Sequence, residues 1–99
     1  MELILAGGHG NISVTANVAP ARMAELCRLA LAGDRAGAAL VNAVLAPLNR
    51  ALFVEANPIP VKWALQQLGL IEAGIRLPLT PLDERYQEQV KAALEAAGI

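Results

Sequence analysis

Residues 7–20, GGHGNISVTANVAP, decide how this chain is read. Gly7, Gly8 and Gly10 surround His9 in a glycine-rich turn. Asn11 to Val14 then alternate polar and apolar, and Thr15, Ala16 and Asn17 lead on to Pro20. Three readings compete: a phosphate-cradling loop, a metal site around His9, or the approach to a strand. Phosphate loops follow a strand and open a helix, so that amides at the helix N-terminus meet the anion. Here the order is reversed. MELILA (1–6) reads as the last turns of a helix stopped by Gly7 and Gly8, and NISV (11–14) reads as one strand after the turn. His9 is the only histidine. With no Cys or carboxylate at ligand spacing, it is expected to be a turn residue bonded to backbone and not a metal ligand.

Three features predict that these residues belong to something larger. No N-cap precedes MELILA. No second strand is evident, and a lone strand cannot pair its own N–H and C=O groups. The apolar fraction is 56%, above the ~45–50% of ordinary globular domains, in a chain whose small size limits how much surface it can bury.

The remainder reads as helices. One is expected over 21–32, with Met23, Leu26, Cys27 and Ala30 on one face and Gly33 ending it. Asp34 caps a second over 35–54, whose core stripe is Leu40, Val44, Leu48 and Leu52, widened by Val41 and Leu45. Pro47 should kink or break it near 43–46. Asn57 is expected as N-cap of a third helix with Pro58 at its first position; Pro60 is tolerated in the first turn, and Gly69 closes it. Thr80-Pro81-Leu82-Asp83 resembles a capping box, and a last helix over 82–97 should bury Tyr86, Val90, Ala93 and Ala97 before Gly98.

Charge and composition exclude several functions. Eight Lys and Arg balance nine Asp and Glu, with three aromatic residues, so there is neither a basic stripe nor a stacking surface for nucleic acid. No apolar run reaches the ~20 residues of a membrane span, and the first residues do not read as a signal peptide. The single Cys27 forms no internal disulfide; it reads as a small buried hydrophobe in a reducing cytoplasm. Lys62, in PIPVKWA, suggests a desolvated Schiff-base amine, but at a helix start its stem is expected along the apolar surface with its head in water. Lys91 reads as a solvated charge among glutamates. Glu55 could bond nearby amides, and Ser13 and Thr15 could donate to a ligand.

GGHGNISVTANVAP (7–20), LFVEANPIPVKWAL (52–65) and RLPLTPL (76–82) together resemble the C-terminal third of the 4-hydroxy-tetrahydrodipicolinate synthase (dihydrodipicolinate synthase) family, in order and in spacing. SVTANV and EANPIPVKWA separate that family from its relatives, N-acetylneuraminate lyase and the keto-deoxy-sugar aldolases; an N-acetylneuraminate lyase-like aldolase stands as the alternative within the superfamily. The resemblance implies a (β/α)8 barrel with a C-terminal helical extension. Such a barrel needs about 250 residues, so this chain would hold only a part. Residues 1–32 would be the end of the barrel (tail of the seventh helix, eighth strand, eighth helix), and 33–99 the extension. The implied activity is a class I lyase of lysine and diaminopimelate biosynthesis. A lysine amine forms a Schiff base with pyruvate, the derived enamine attacks L-aspartate 4-semialdehyde, and cyclisation follows; no cofactor or metal takes part.

The resemblance places the Schiff-base lysine and the proton-relay residues outside this segment, and Lys62 matches a different family lysine. The segment is therefore expected to be inactive alone and to carry no catalytic residue. Ile12 matches an isoleucine whose backbone contacts bound pyruvate. Asn57 matches a residue near the pocket mouth. Asn11 departs from the family's usual valine. A cytoplasmic homo-oligomer is implied, with no membrane or nucleic-acid partner. A reading from a different class is a stand-alone helical module that self-associates through its apolar faces.

Overall fold

In the computed structural model, which describes residues 1–99, five α-helices follow one another: α1 (Glu2–Leu5), α2 (Pro20–Leu31), α3 (Arg35–Ala51), α4 (Ile59–Gln67) and α5 (Glu84–Ala96). A 3₁₀ turn at Thr15–Asn17 precedes α2. Glycine ends four of the five helices in one manner. After α2, the Gly33 N–H donates to the Ala30 carbonyl at 3.0 Å and the Asp34 N–H to the Leu29 carbonyl at 2.9 Å. This doubly bonded ending needs a left-handed residue at its corner, and Gly33 has φ 76°. The same bond pair recurs at Gly7, Gly69 and Gly98, each expected from sequence as a helix stop.

α3 is the hub, packed against α2 on one side and α5 on the other. Its first turn is fixed by Asp34, whose Oδ1 accepts the Gly37 N–H at 2.9 Å. Ala38, Leu45, Leu48, Ala51 and Leu52 are buried along it and meet Leu26 and Ala30 of α2 and Val90, Ala93 and Leu94 of α5 in one core. The expected stripe was turned too far. Leu40 is 74% exposed and Val44 only half-buried, because a strict four-residue repeat drifts about 40° per step around a 3.6-residue helix. The observed stripe steps by threes and fours. Pro47 does not break α3, which runs on to Ala51; packing on two flanks outweighs one missing main-chain bond. Arg22 ties α2 to the end of α5, its Nε donating to the Ala97 carbonyl at 2.7 Å, where the carbonyls left without intrahelical partners favour a cation.

Two caps differ from expectation. Asn57 does not cap α4; Pro58 occupies that position and Asn57 is exposed. An Asn57 cap would have had only Ile59's N–H within reach, since Pro60 has none, and Ile59 donates instead to the Ala56 carbonyl at 2.9 Å. Thr80 is likewise not a cap: Asp83 accepts the Arg85 N–H at 3.0 Å and α5 begins at Glu84.

The chain contains no β-strand. Residues 8–13 lie outside any helix, and Val14 already has helical angles (φ −59°, ψ −41°). NISV finds no ladder because nothing in the chain offers it an edge. No helix is long and apolar enough to cross a membrane. The molecule is long, 41 × 24 × 21 Å, with a radius of gyration of 14.3 Å against ~13 Å for a compact domain of 100 residues. Only 21 of 99 residues are buried, so much of the apolar excess stays uncovered.

Candidate functional site

The segment between α1 and α2 forms one wall of an open cleft of about 370 Å³. Its floor and far wall come from Met23 and Leu26 on α2 and Asn42, Asn49 and Phe53 on and just after α3. Asn42 and Asn49 are seven residues apart, so two turns of helix put them on one face. The cleft has no charged side chain among its lining residues. It offers hydroxyls, carboxamides and main-chain groups, which can bind and orient a small polar molecule, and no carboxylate, imidazole, thiol or lysine side chain to act as acid, base or nucleophile.

The main chain supplies most of that capacity. His9, Gly10, Asn11 and Ile12 make no backbone hydrogen bond through either N–H or C=O. Pairing resumes at Ser13, whose carbonyl accepts the Ala16 N–H at 3.2 Å and so starts the 3₁₀ turn. Ile12 itself is fully exposed, at 107%. An apolar side chain left in solvent and an unpaired main chain beside it mark a strip shaped for contact with something else.

The candidate residues fare differently. Ile12 and Ser13 line the cleft. Thr15 faces it too, but its hydroxyl is already committed, donating to Asn49 Oδ1 at 2.6 Å. Asn57 lines neither this cleft nor any other. Lys62 lies in the first turn of α4 with an exposed side chain, as its position suggested. It lines a separate cleft of about 80 Å³ with Trp63, Gln66 and Glu72. His9 is exposed and makes no hydrogen bond to backbone, contrary to the sequence reading. Glu55 bonds no amide; its Oε2 is shielded from solvent without a partner. Cys27 is half-buried, and its Sγ, like Met23 Sδ, lies 3.6 Å from Asn11 Nδ2. Asn11 therefore uses its carboxamide against two soft sulfurs, a use for this residue that sequence reasoning missed. Asn42 and Asn49 were missed as well, although two asparagines seven apart in a run of Ala, Leu and Val are a visible signal.

The perturbed ionisable groups lie elsewhere. A side-chain hydrogen bond from Arg28 holds the Glu25 carboxyl below the usual glutamate range, and the same bond raises Arg28. Both are on α2 and neither lines the cleft.

Residues 1–97 match the model of the dihydrodipicolinate synthetase family. A 4-hydroxy-tetrahydrodipicolinate synthase of Alcanivorax borkumensis is 61% identical over 99 residues, 100% of this chain and 34% of the relative. Among solved structures, a chloride-inhibited dihydrodipicolinate synthase from Acinetobacter baumannii complexed with pyruvate superimposes with a TM-score of 0.96 at 57% identity, over 99% of this chain and 34% of that one. The enzyme from Thermotoga maritima gives 0.93 at 47% identity, over 98% and 33%. The chain thus spans about a third of the length of the relatives it matches.

Proposed function

The chain belongs to the dihydrodipicolinate synthetase family, and from that premise we propose that it supplies the C-terminal third of a lyase condensing pyruvate with L-aspartate 4-semialdehyde in lysine and diaminopimelate biosynthesis. The observation that carries this reading is the unpaired main chain of residues 9–12 at the lip of a cleft with no charged side chain. Taken as an eighth barrel strand, that segment would have neighbours on both sides and would present the Ile12 backbone to pyruvate. The pyruvate complex of the Acinetobacter baumannii enzyme, which is 57% identical here, supports the substrate assignment. Residues 1–32 would close the barrel and 33–99 would form the helical extension behind it; Asn57, exposed in the link between α3 and α4, would stand toward the pocket mouth.

The chemistry divides accordingly. A lysine outside this segment adds through its amine to the pyruvate ketone and loses water to give the Schiff base. Loss of a methyl proton gives the enamine, which attacks the aldehyde carbon. This segment holds substrate through main-chain groups and contributes no acid, base or nucleophile. Incubated with pyruvate and borohydride, the isolated chain should therefore gain no reduced adduct. An adduct at Lys62 would overturn the reading. Grafted in place of the matched third of the Acinetobacter baumannii enzyme, the chain should preserve condensation, and a folded but inactive graft would also overturn it.

The same reading implies a homo-oligomer working in the cytoplasm. Exposed Ile12, Leu40 and Leu77, at 107%, 74% and 80%, favour further association, and a free Cys27 suits a reducing compartment. Those apolar residues also keep the self-associating module in play. Light scattering should show the isolated chain as more than a monomer, and a cooperative, well-behaved monomer would remove the module reading.

A further inference from the structure

We infer that Thr15 and Asn49 form a positioning pair that sets the main chain of Ile12 for pyruvate. This rests on the proposed function, since it gives Thr15 and Asn49, whose side chains bond to each other in the cleft lining, the task of setting the main chain that would contact pyruvate. Thr15 is the only fully buried polar or charged residue of the chain, 2% exposed. Its hydroxyl donates to Asn49 Oδ1 at 2.6 Å, joining positions 34 apart in sequence. A short bond partly withdrawn from water is worth more than a surface one, and losing either partner leaves the other without its bond.

What this bond holds is the first fixed point after a stretch with none. From His9 to Ile12 the main chain has no backbone hydrogen bond. Immediately downstream, Ser13, Val14 and Thr15 carbonyls accept the N–H groups of Ala16, Asn17 and Val18 at 3.1–3.2 Å, and Asn17 Nδ2 also donates to Val14 O at 3.0 Å. That turn is rigid in itself, but rigid turns move as bodies. Thr15–Asn49 is the side-chain bond that fastens it to α3. On the other side of Ile12, only Asn11 reaches the body, through contacts of 3.6 Å to Met23 and Cys27 sulfur, which are weak acceptors. Ile12 therefore hangs between a soft anchor on α2 and a firm one on α3. Displacing the firm one shifts the pyruvate contact without touching the lysine or the second substrate. It also gives the helical extension a part in substrate binding, because Asn49 belongs to α3.

The test uses the full-length graft described above, with Thr15→Val, Thr15→Ser and Asn49→Leu. A Schiff-base lyase takes its substrates in turn through a covalent intermediate, so kcat/KM for each reports separate steps. Thr15→Val and Asn49→Leu should each lower kcat/KM for pyruvate by roughly three- to tenfold, the size of one lost hydrogen bond, and leave that for the aldehyde within about twofold. Thr15→Ser keeps the hydroxyl and should restore pyruvate kinetics to within about twofold, which a role in packing alone would not do, since serine drops the methyl that valine keeps. Should Thr15→Val fail to fold, Thr15→Ala removes the same hydroxyl without a second methyl and should lower kcat/KM for pyruvate as Asn49→Leu does. An active graft whose pyruvate kinetics ignore both Thr15→Val and Asn49→Leu, or whose two kcat/KM values fall together, overturns the positioning role alone. An inactive parent graft overturns the functional reading, and this inference falls with it.

Discussion

α3 and the segment 8–13 face each other across one cleft, yet they obey opposite rules. α3 finds its partners inside the chain: Leu45 and Leu48 are fully buried between α2 and α5. The segment has its outermost apolar residue, Ile12, wholly in solvent and four consecutive residues without a main-chain partner. The first pattern is that of a finished core. The second is that of an edge left open within the chain. The difference shows that local sequence pattern specifies what a segment prefers, while pairing depends on which surfaces are present to receive it.

The sharpest way to break that contrast is to truncate one residue in each region. Leu48→Ala should destabilise the chain by about 2–5 kcal/mol, the lost transfer energy plus the cavity left among α2, α3 and α5. Ile12→Ala should change stability by less than about 0.5 kcal/mol, since nothing in the chain covers it. Urea unfolding followed by circular dichroism measures both. Comparable losses from the two substitutions would mean that Ile12 is covered in solution, and the contrast would fail.

A smaller effect tests whether α3 owes its start to local chemistry or only to packing. Asp34→Ala removes the carboxylate that accepts the Gly37 N–H and should cost about 1 kcal/mol. Thr80→Ala should cost almost nothing, because Asp83 and not Thr80 caps α5. A cost at Thr80 equal to that at Asp34 would restore the capping box.

Much of the helical part was legible in sequence for reasons these substitutions expose. Gly7, Gly33, Gly69 and Gly98 each end a helix because a corner at positive φ excludes most other residues locally. Asp34 caps because its carboxylate needs only its own next turn. The errors came where the outcome depended on partners at a distance. Leu40 looks like a core residue until α2 and α5 fix which side of α3 they take. Pro47 should weaken α3 and does, by one bond, but two packed neighbours hold it together. Asn57 was displaced by the competing demand of Ile59 for the Ala56 carbonyl. NISV shows the limit most clearly: its alternation suits a strand, and no strand forms without an edge to join. In the candidate site, Ile12 was singled out through family resemblance alone, since an apolar side chain gives no chemical cue for the main-chain role proposed for it. Asn49 was not reached at all, because its significance lies in a bond to a residue 34 positions away.

The smallest expected effect lies on the outer face of α2, where neither the core nor the cleft intrudes. Arg28 donates to both carboxylate oxygens of Glu25, at 2.6 and 2.8 Å, three residues apart on an exposed helical face. The side chains remain 65% and 44% exposed, so water and salt screen the pair. The sign of its pH dependence is nonetheless fixed. The bond depresses the Glu25 pKa in the folded state. Its contribution is therefore present above the unfolded-state value and lost as pH falls through the lower folded-state one. Arg28 stays protonated throughout and adds no transition of its own. Glu25→Gln should thus lower the unfolding midpoint slightly at neutral pH, and the gap should close in acid and shrink at 1 M salt. A gap that persists unchanged into acid would mean that Glu25 stabilises α2 through its methylene stem rather than its charge. The outer face of α2 would then behave like α3, through contact, instead of through local electrostatics.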